Sequence, residues 1–263
     1  MDGNASREAA FPGDTVEFEV TPDPGCSDED VRWSGGGNPV AGVGRQFVTA
    51  FNAGGTFDVT AVCGEATVEF PVTVCGVDAW LSRAASFFGP SVDLSQVRVT
   101  TSRVVLGRQT QAWTCNDVIR FKRPVRREDL PNEATLIHEL GHVWEHQAGQ
   151  AQLLRGAVEQ IGARLGRDPY DFGGPDGVRS AASLADFGME GQAQIVTELW
   201  KAEHGYGTDR MRVPLAKPGY VDDLRRLVEG AGIGTRAPGR RTVAGVIDSA
   251  FAWLVNLVVD LVG

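Results

Sequence analysis

At 263 residues with 42% hydrophobic side chains, the chain is ordinary for a globular protein and can bury the cores of one large domain or two smaller ones. The net charge of −9 lies entirely in residues 1–76, where 12 Asp and Glu face 3 Arg; the remainder balances 22 acids against 22 Lys and Arg. That asymmetry suggests two units, and an acidic first unit excludes nucleic acid as the expected partner, because phosphate binding needs a basic surface.

Residues 1–9 are polar and read as a loose tail. From Phe11 to Cys75, short alternating stretches are broken by Gly, Pro and Asp, the pattern of about six strands. Residues 15–20 alternate cleanly, residues 31–33 follow a turn rich in Pro and Asp, and Gly35-Gly36-Gly37 interrupts the chain. Residues 46–51, 55–62 and 66–74 complete a small predicted sandwich. The stretches P-G-D-T-V-E-F, W-S-G-G-G, A-G-G-T-F-D-V-T-A-V-C and a closing P-V-T-V resemble immunoglobulin-like domains of the polycystic-kidney-disease type over residues 10–76. The resemblance implies a sandwich with Trp33 at its centre, of a kind that binds, spaces or presents. The four cysteines, Cys26, Cys63, Cys75 and Cys115, form no C-x-x-C. Two disulfides and four buried thiols both suit that count, and Cys26–Cys63 is the first pair to test.

Residues 77–88 have helical spacing, with Asp78 as a cap and Gly89-Pro90 as a stop. Residues 97–101, 111–115 and 118–121 read as strands, the last two joined at Asn116-Asp117, a hairpin signal. After a loop over residues 126–131, with Pro131 expected inside the first helical turn, comes I-H-E-L-G-H-V-W-E-H from Ile137 to His146. On a helix His138 and His142 lie one turn apart on one face, where two imidazoles can reach a single cation. Glu139 can then approach a metal-bound water without ligating the metal. Ile137, Leu140 and Trp144 form the expected core stripe of this helix.

A second helix is expected over residues 150–165, followed by a breaker-rich loop over 167–177 of the sort that often carries function. Shorter helices are expected over 178–187 and 219–229, and a longer one over 189–204. A linker over 231–240 leads to an apolar helix over 243–262. Asp248 and Asp260 interrupt that apolar stretch and no Lys or Arg follows it, so a membrane span is not expected. Met1-Asp2-Gly3-Asn4 carries no visible signal peptide, which leaves cytoplasmic residence, a dedicated export system or a removed leader open.

A metal centre on His138 and His142 needs a third protein ligand. His146 is too far along the helix axis and reads as a surface or outer histidine, and nothing positions His204. Glu190 is the best candidate, opening a helix among Gly188, Gly191 and Ala193, with Glu198 an alternative. Gln194, one turn beyond Glu190, is placed to accept the second N–H of a ligating histidine.

Together L-I-H-E-L-G-H-V-W-E-H-Q and M-E-G-Q-A-Q-I-V resemble zincin metallopeptidases with a glutamate as third ligand, in particular compact bacterial members associated with secretion and injection toxins. The similarity spans about residues 95–204 and departs at Gln194, where that family usually has an acid. It implies Zn2+ on His138, His142 and Glu190, Glu139 as general base, and a protein or peptide substrate. Tyr170 and Tyr206 are candidate donors to the oxyanion. The expected architecture is multidomain: an immunoglobulin-like all-β sandwich (10–76), a mainly α, α+β zincin-like metallopeptidase domain (77–231), and a linker with a C-terminal helix (232–263). The alternative is a catalytically silent binding or assembly module acting through the acidic sandwich, and a delivered toxin is a third possibility.

Overall fold

The computed structural model describes residues 1–102, 111–150, 168–204 and 219–235. The expected helices over 150–165 and 243–262, the linker beyond residue 235 and Tyr206 lie outside the described residues. The chain divides into two units, Met1–Trp80 with Arg123–Pro131, and Leu81–Lys122 with Asn132–Gly263.

In the first unit two sheets share one core. One holds β1 (Asp2–Ala5), β3 (Thr15–Thr21) and β6 (Gln46–Ala50) in the order β1-β3-β6. The other holds β2 (Ala9–Ala10), β4 (Arg32–Ser34), β5 (Ala41–Val43), β7 (Gly55–Cys63) and β8 (Ala66–Val74) in the order β2-β8-β7-β4-β5. The alternation of β3 sets its two faces: Val16, Phe18 and Val20 are buried while Glu17 and Glu19 are exposed. Trp33 stacks on Phe47 at 5.6 Å and lies 6.0 Å from Phe18, and its indole N–H donates to the carbonyl of Gly44 at 2.6 Å. A disulfide joins Cys26 to Cys63, and Cys75 is a buried thiol. Burial pushes the Cys75 thiol up to about 12.

The first residues are not a loose tail. β1 pairs antiparallel with β3, from Asp2 opposite Thr21 to Ala5 opposite Phe18. Gly3 permits this pairing, because a Cβ there would stand 2.7 Å from the Phe70 ring. A polar tetrapeptide thus becomes a strand through a partner remote in sequence, which local pattern does not reveal.

The second unit contains a sheet in which β11 (Val118–Lys122) pairs antiparallel with β10 (Ala112–Cys115) and parallel with β9 (Arg98–Ser102). Asn116 turns the β10–β11 hairpin in a left-handed conformation, φ 56°. α1 (Val77–Phe88) crosses the boundary between the units. α2 (Glu133–Gln147) begins after Asn132, whose side chain accepts the N–H of Thr135 at 3.0 Å; Pro131 lies before this cap rather than in the first turn. α2 is buried on nearly every side, with Ile137, Leu140 and Trp144 in the core. α4 (Met189–Glu203) packs against it at Gly141, where a Cβ would lie 3.1 Å from both Cα and Cβ of Ala193. α3 (Gly174–Ser180) and α5 (Tyr220–Gly230) complete the described helices; Arg226 donates to the Val178 carbonyl at 3.0 Å and to that of Ala181 at 3.1 Å, near the end of α3. The helix expected over 178–187 is replaced by the end of α3 and a single 3-10 turn at Leu184–Asp186. There the Asp186 carboxylate accepts the N–H groups of Ala182 and Ser183 and competes with helical pairing.

The expected fold class needs correction. Among the described residues there are eleven strands in three sheets and five α-helices, a chain rich in β-structure rather than a sandwich followed by a mainly α zincin-like domain. The strands β9, β10 and β11 were each expected, but helical periodicity dominates the rest of the second unit's sequence, and local pattern does not show that β9 pairs parallel with β11 to make them one sheet.

Candidate metal centre

α2 and α4 position the polar groups of the second unit. The spacing of His138 and His142 puts both rings on one side of α2, 5.0 Å apart and nearly perpendicular. Glu190 sits in the first turn of α4, behind Gly188 at its N-cap. The contact of Gly141 with Ala193 brings these two backbones close enough for the carboxylate to reach both rings. Glu190 Oε2 lies 3.0 Å from His138 Nε2 and 3.4 Å from His142 Nε2. One ligand atom from each residue lies within 4.8 Å of the others, and no further group of this kind occurs among the described residues. Two imidazole nitrogens and a carboxylate oxygen are a donor set suited to a borderline divalent cation. The residues therefore fit a metal.

The surroundings reinforce this polarity. Burial acts to lower the pKa of His142, but hydrogen bonds to Glu145 and Glu190 hold it well above the ordinary histidine value. Burial likewise acts to raise that of Glu190, yet its bonds with His138 and His142 hold it far below the usual carboxylate range. Glu139 is buried, and its Oε2 accepts the Thr114 hydroxyl proton at 2.6 Å. Tyr170 stands at the side, its ring 5.8 Å from that of His138, in a loop where Asp168 accepts the Tyr170 N–H.

Other expected residues lie elsewhere. Gln194 donates to Glu198 Oε1 at 2.8 Å rather than serving a ligating histidine, and Lys201 Nζ is 3.3 Å from that same oxygen. Glu198 is outside the converging group. His204 stacks on Trp200 with its Nδ1 2.9 Å from the Trp200 carbonyl oxygen. His146 is buried, not at the surface, with Nε2 3.6 Å from Asp117 Oδ2.

Residues 78–150 match the family described as the eCIS core domain. The chain is also similar to the type VI secretion system spike protein VgrG2b of Pseudomonas aeruginosa, with 31% identity over 134 residues, covering 48% of this chain. It spans about 13% of the length of that curated relative. These similarities overturn the expectation of a zincin metallopeptidase. The names of the matching family and of this relative are those of secretion and injection-system components, and neither is the name of a hydrolase or protease. The physical reason lies in the motif itself. An H-E-x-x-H helix dictates where two imidazoles and a carboxylate stand, and the placement of donors by itself does not say what a bound ion does.

Two residues of the site were not singled out from the sequence. Glu145 accepts a hydrogen bond from His142 Nδ1 at 2.9 Å, and Thr114 holds Glu139. Glu145 left a signal, an acid three residues after the second histidine and hence on the same face. Thr114 left none, because the pairing of β10 with α2 is tertiary.

Proposed function

We propose that this chain is an assembly module of a bacterial secretion or contractile-injection apparatus, associated with its spike. The observation that carries this reading is the pair of similarities, to the eCIS core domain over residues 78–150 and to a type VI spike protein. In this reading the acidic sandwich supplies the surface that meets other parts of the apparatus. Its 12 acids against 3 Arg over residues 1–76 favour a basic partner surface. A divalent metal on His138, His142 and Glu190, with zinc the first candidate, clamps α2 to α4 and keeps the second unit in one arrangement. The Thr114 hydroxyl donates to Glu139 and ties β10 to α2 beside that group.

Co-expression of the chain with the spike and tube proteins of the same apparatus, followed by affinity purification, tests the proposal. The chain is expected to elute with the spike and to be released by added salt, as screening weakens an interface between opposite charges. Replacing Glu17 and Glu19 by Gln is expected to weaken retention. Absence of the chain from the purified spike and tube complexes would overturn the reading.

A further inference from the structure

We propose that Glu145 is a positioning residue of the metal centre: by holding Nδ1 of His142 it presents Nε2 as the ligand. The inference rests on the ligand set described above. Glu145 is completely buried, three residues beyond His142 on α2. Its Oε2 lies 2.9 Å from His142 Nδ1, the geometry of an imidazole N–H donating to a carboxylate. With Nδ1 committed as the donor, the lone pair belongs to Nε2, the atom that lies 3.4 Å from Glu190.

Charge points the same way. One imidazole stands between two carboxylates, Glu145 at Nδ1 and Glu190 at Nε2. A cation held at Nε2 places positive charge on the side of His142 away from Glu145 and beside Glu190. Full burial of a carboxylate is costly unless such compensation is present, and an apolar side chain would fill the same place at lower cost.

The test uses the full chain, stripped of metal and titrated with Co2+ and Zn2+ against a competing chelator. Glu145→Gln keeps an acceptor for Nδ1 and loses the charge, and is expected to weaken zinc binding about 10-fold; Glu145→Ala loses both and is expected to weaken it about 100-fold. Glu198→Gln, at another fully buried glutamate, is expected to leave the affinity within about twofold, outside that 10–100-fold range. Zinc affinities unchanged in both Glu145 variants would overturn the role while leaving the ligand set standing. A wild type that takes up neither metal overturns the ligand set and this role with it. Because the variants can fail to fold, imidazole nitrogen shifts of the zinc-loaded wild type are a second measurement. Protonation of His142 at Nδ1 is expected, and protonation at Nε2 overturns the proposal.

Discussion

In the first unit the buried set is built from Val16, Phe18, Trp33, Phe47, Val59, Phe70 and their apolar neighbours, and Thr49 is the only buried polar or charged side chain among its described residues. In the second unit the buried set includes Glu133, Glu139, Glu145 and Glu198, together with His142, His146 and Arg120. Each of those carboxylates has a partner. Arg83 grips Glu133 through two bonds at 2.7 and 2.8 Å, Thr114 holds Glu139, His142 holds Glu145, and Gln194 holds Glu198. An apolar core owes its stability to area removed from water and is indifferent to pH or ions. A core that contains charges is stable only while they are balanced, so its stability becomes linked to protons and metals. The core of the first unit is therefore insensitive to protons and metals, and that of the second is conditional on them.

The comparison can be broken in several ways, the first two read by hydrogen exchange resolved over the two units. The largest expected effect is Trp33→Ala, which empties the centre of the sandwich and should lower its stability by about 3–5 kcal/mol, with β3, β6 and β7 losing protection and α2 keeping it. Removing the disulfide with Cys26→Ser and Cys63→Ser should cost about 3–4 kcal/mol for a loop of this size, again confined to the first unit. Iodoacetamide at pH 8 should leave Cys75 unmodified until the sandwich unfolds, because the thiol is buried and titrates near 12.

Metal should act on the other unit alone. At a free concentration 100-fold above the dissociation constant, zinc is expected to stabilise the second unit by about 2.7 kcal/mol, an effect abolished by chelation or by His138→Ala. The sign of its pH dependence follows from the pair that it displaces. The raised pKa of His142 favours the metal-free fold below the ordinary value of 6.5, a contribution lost as pH rises through the folded pKa. The lowered pKa of Glu190 favours that fold above 4.5, a contribution lost as pH falls through the folded pKa. The metal-free pair is thus at its best between about 4.5 and 6.5, and the gap in melting temperature between loaded and metal-free protein should widen above that window. A gap that narrows as pH rises would sink this account.

The smallest expected effect comes from Gly141→Val. The added carbons meet Ala193, where even a Cβ stands at 3.1 Å, and should cost about 1–3 kcal/mol. The variant should also lower metal affinity, since α4 carries Glu190. Unchanged affinity would show that the clamp tolerates separation of the two helices.

Much of this was legible in the chain itself. The alternation of Thr15 to Val20, the Asn116-Asp117 turn and the four-residue spacing of the histidines are local patterns, and each has one physical reading. Glu190 was legible through its small neighbours, which announce close helix packing. The strands β9, β10 and β11 were legible as strands, but the strand at Asp2–Ala5 and the parallel pairing of β9 with β11 were not, because they depend on partners that are not adjacent in sequence. Gln194 was assigned by helical spacing to the histidines, but its amide donates along the same face of α4 to Glu198, one turn on. Spacing places residues on a face and says nothing of which neighbour that face meets.

By itself, then, the sequence determined the local periodicities, the separation of charge between the two parts and the presence of two imidazoles and an acid on one helix. Only the tertiary structure decided that Glu190 closes the group, that Glu145 and Thr114 hold its members, and that four glutamates of the second unit are buried with partners. The reason is that a buried charge is permitted or forbidden by its three-dimensional surroundings, and those are assembled from segments that the linear order keeps apart.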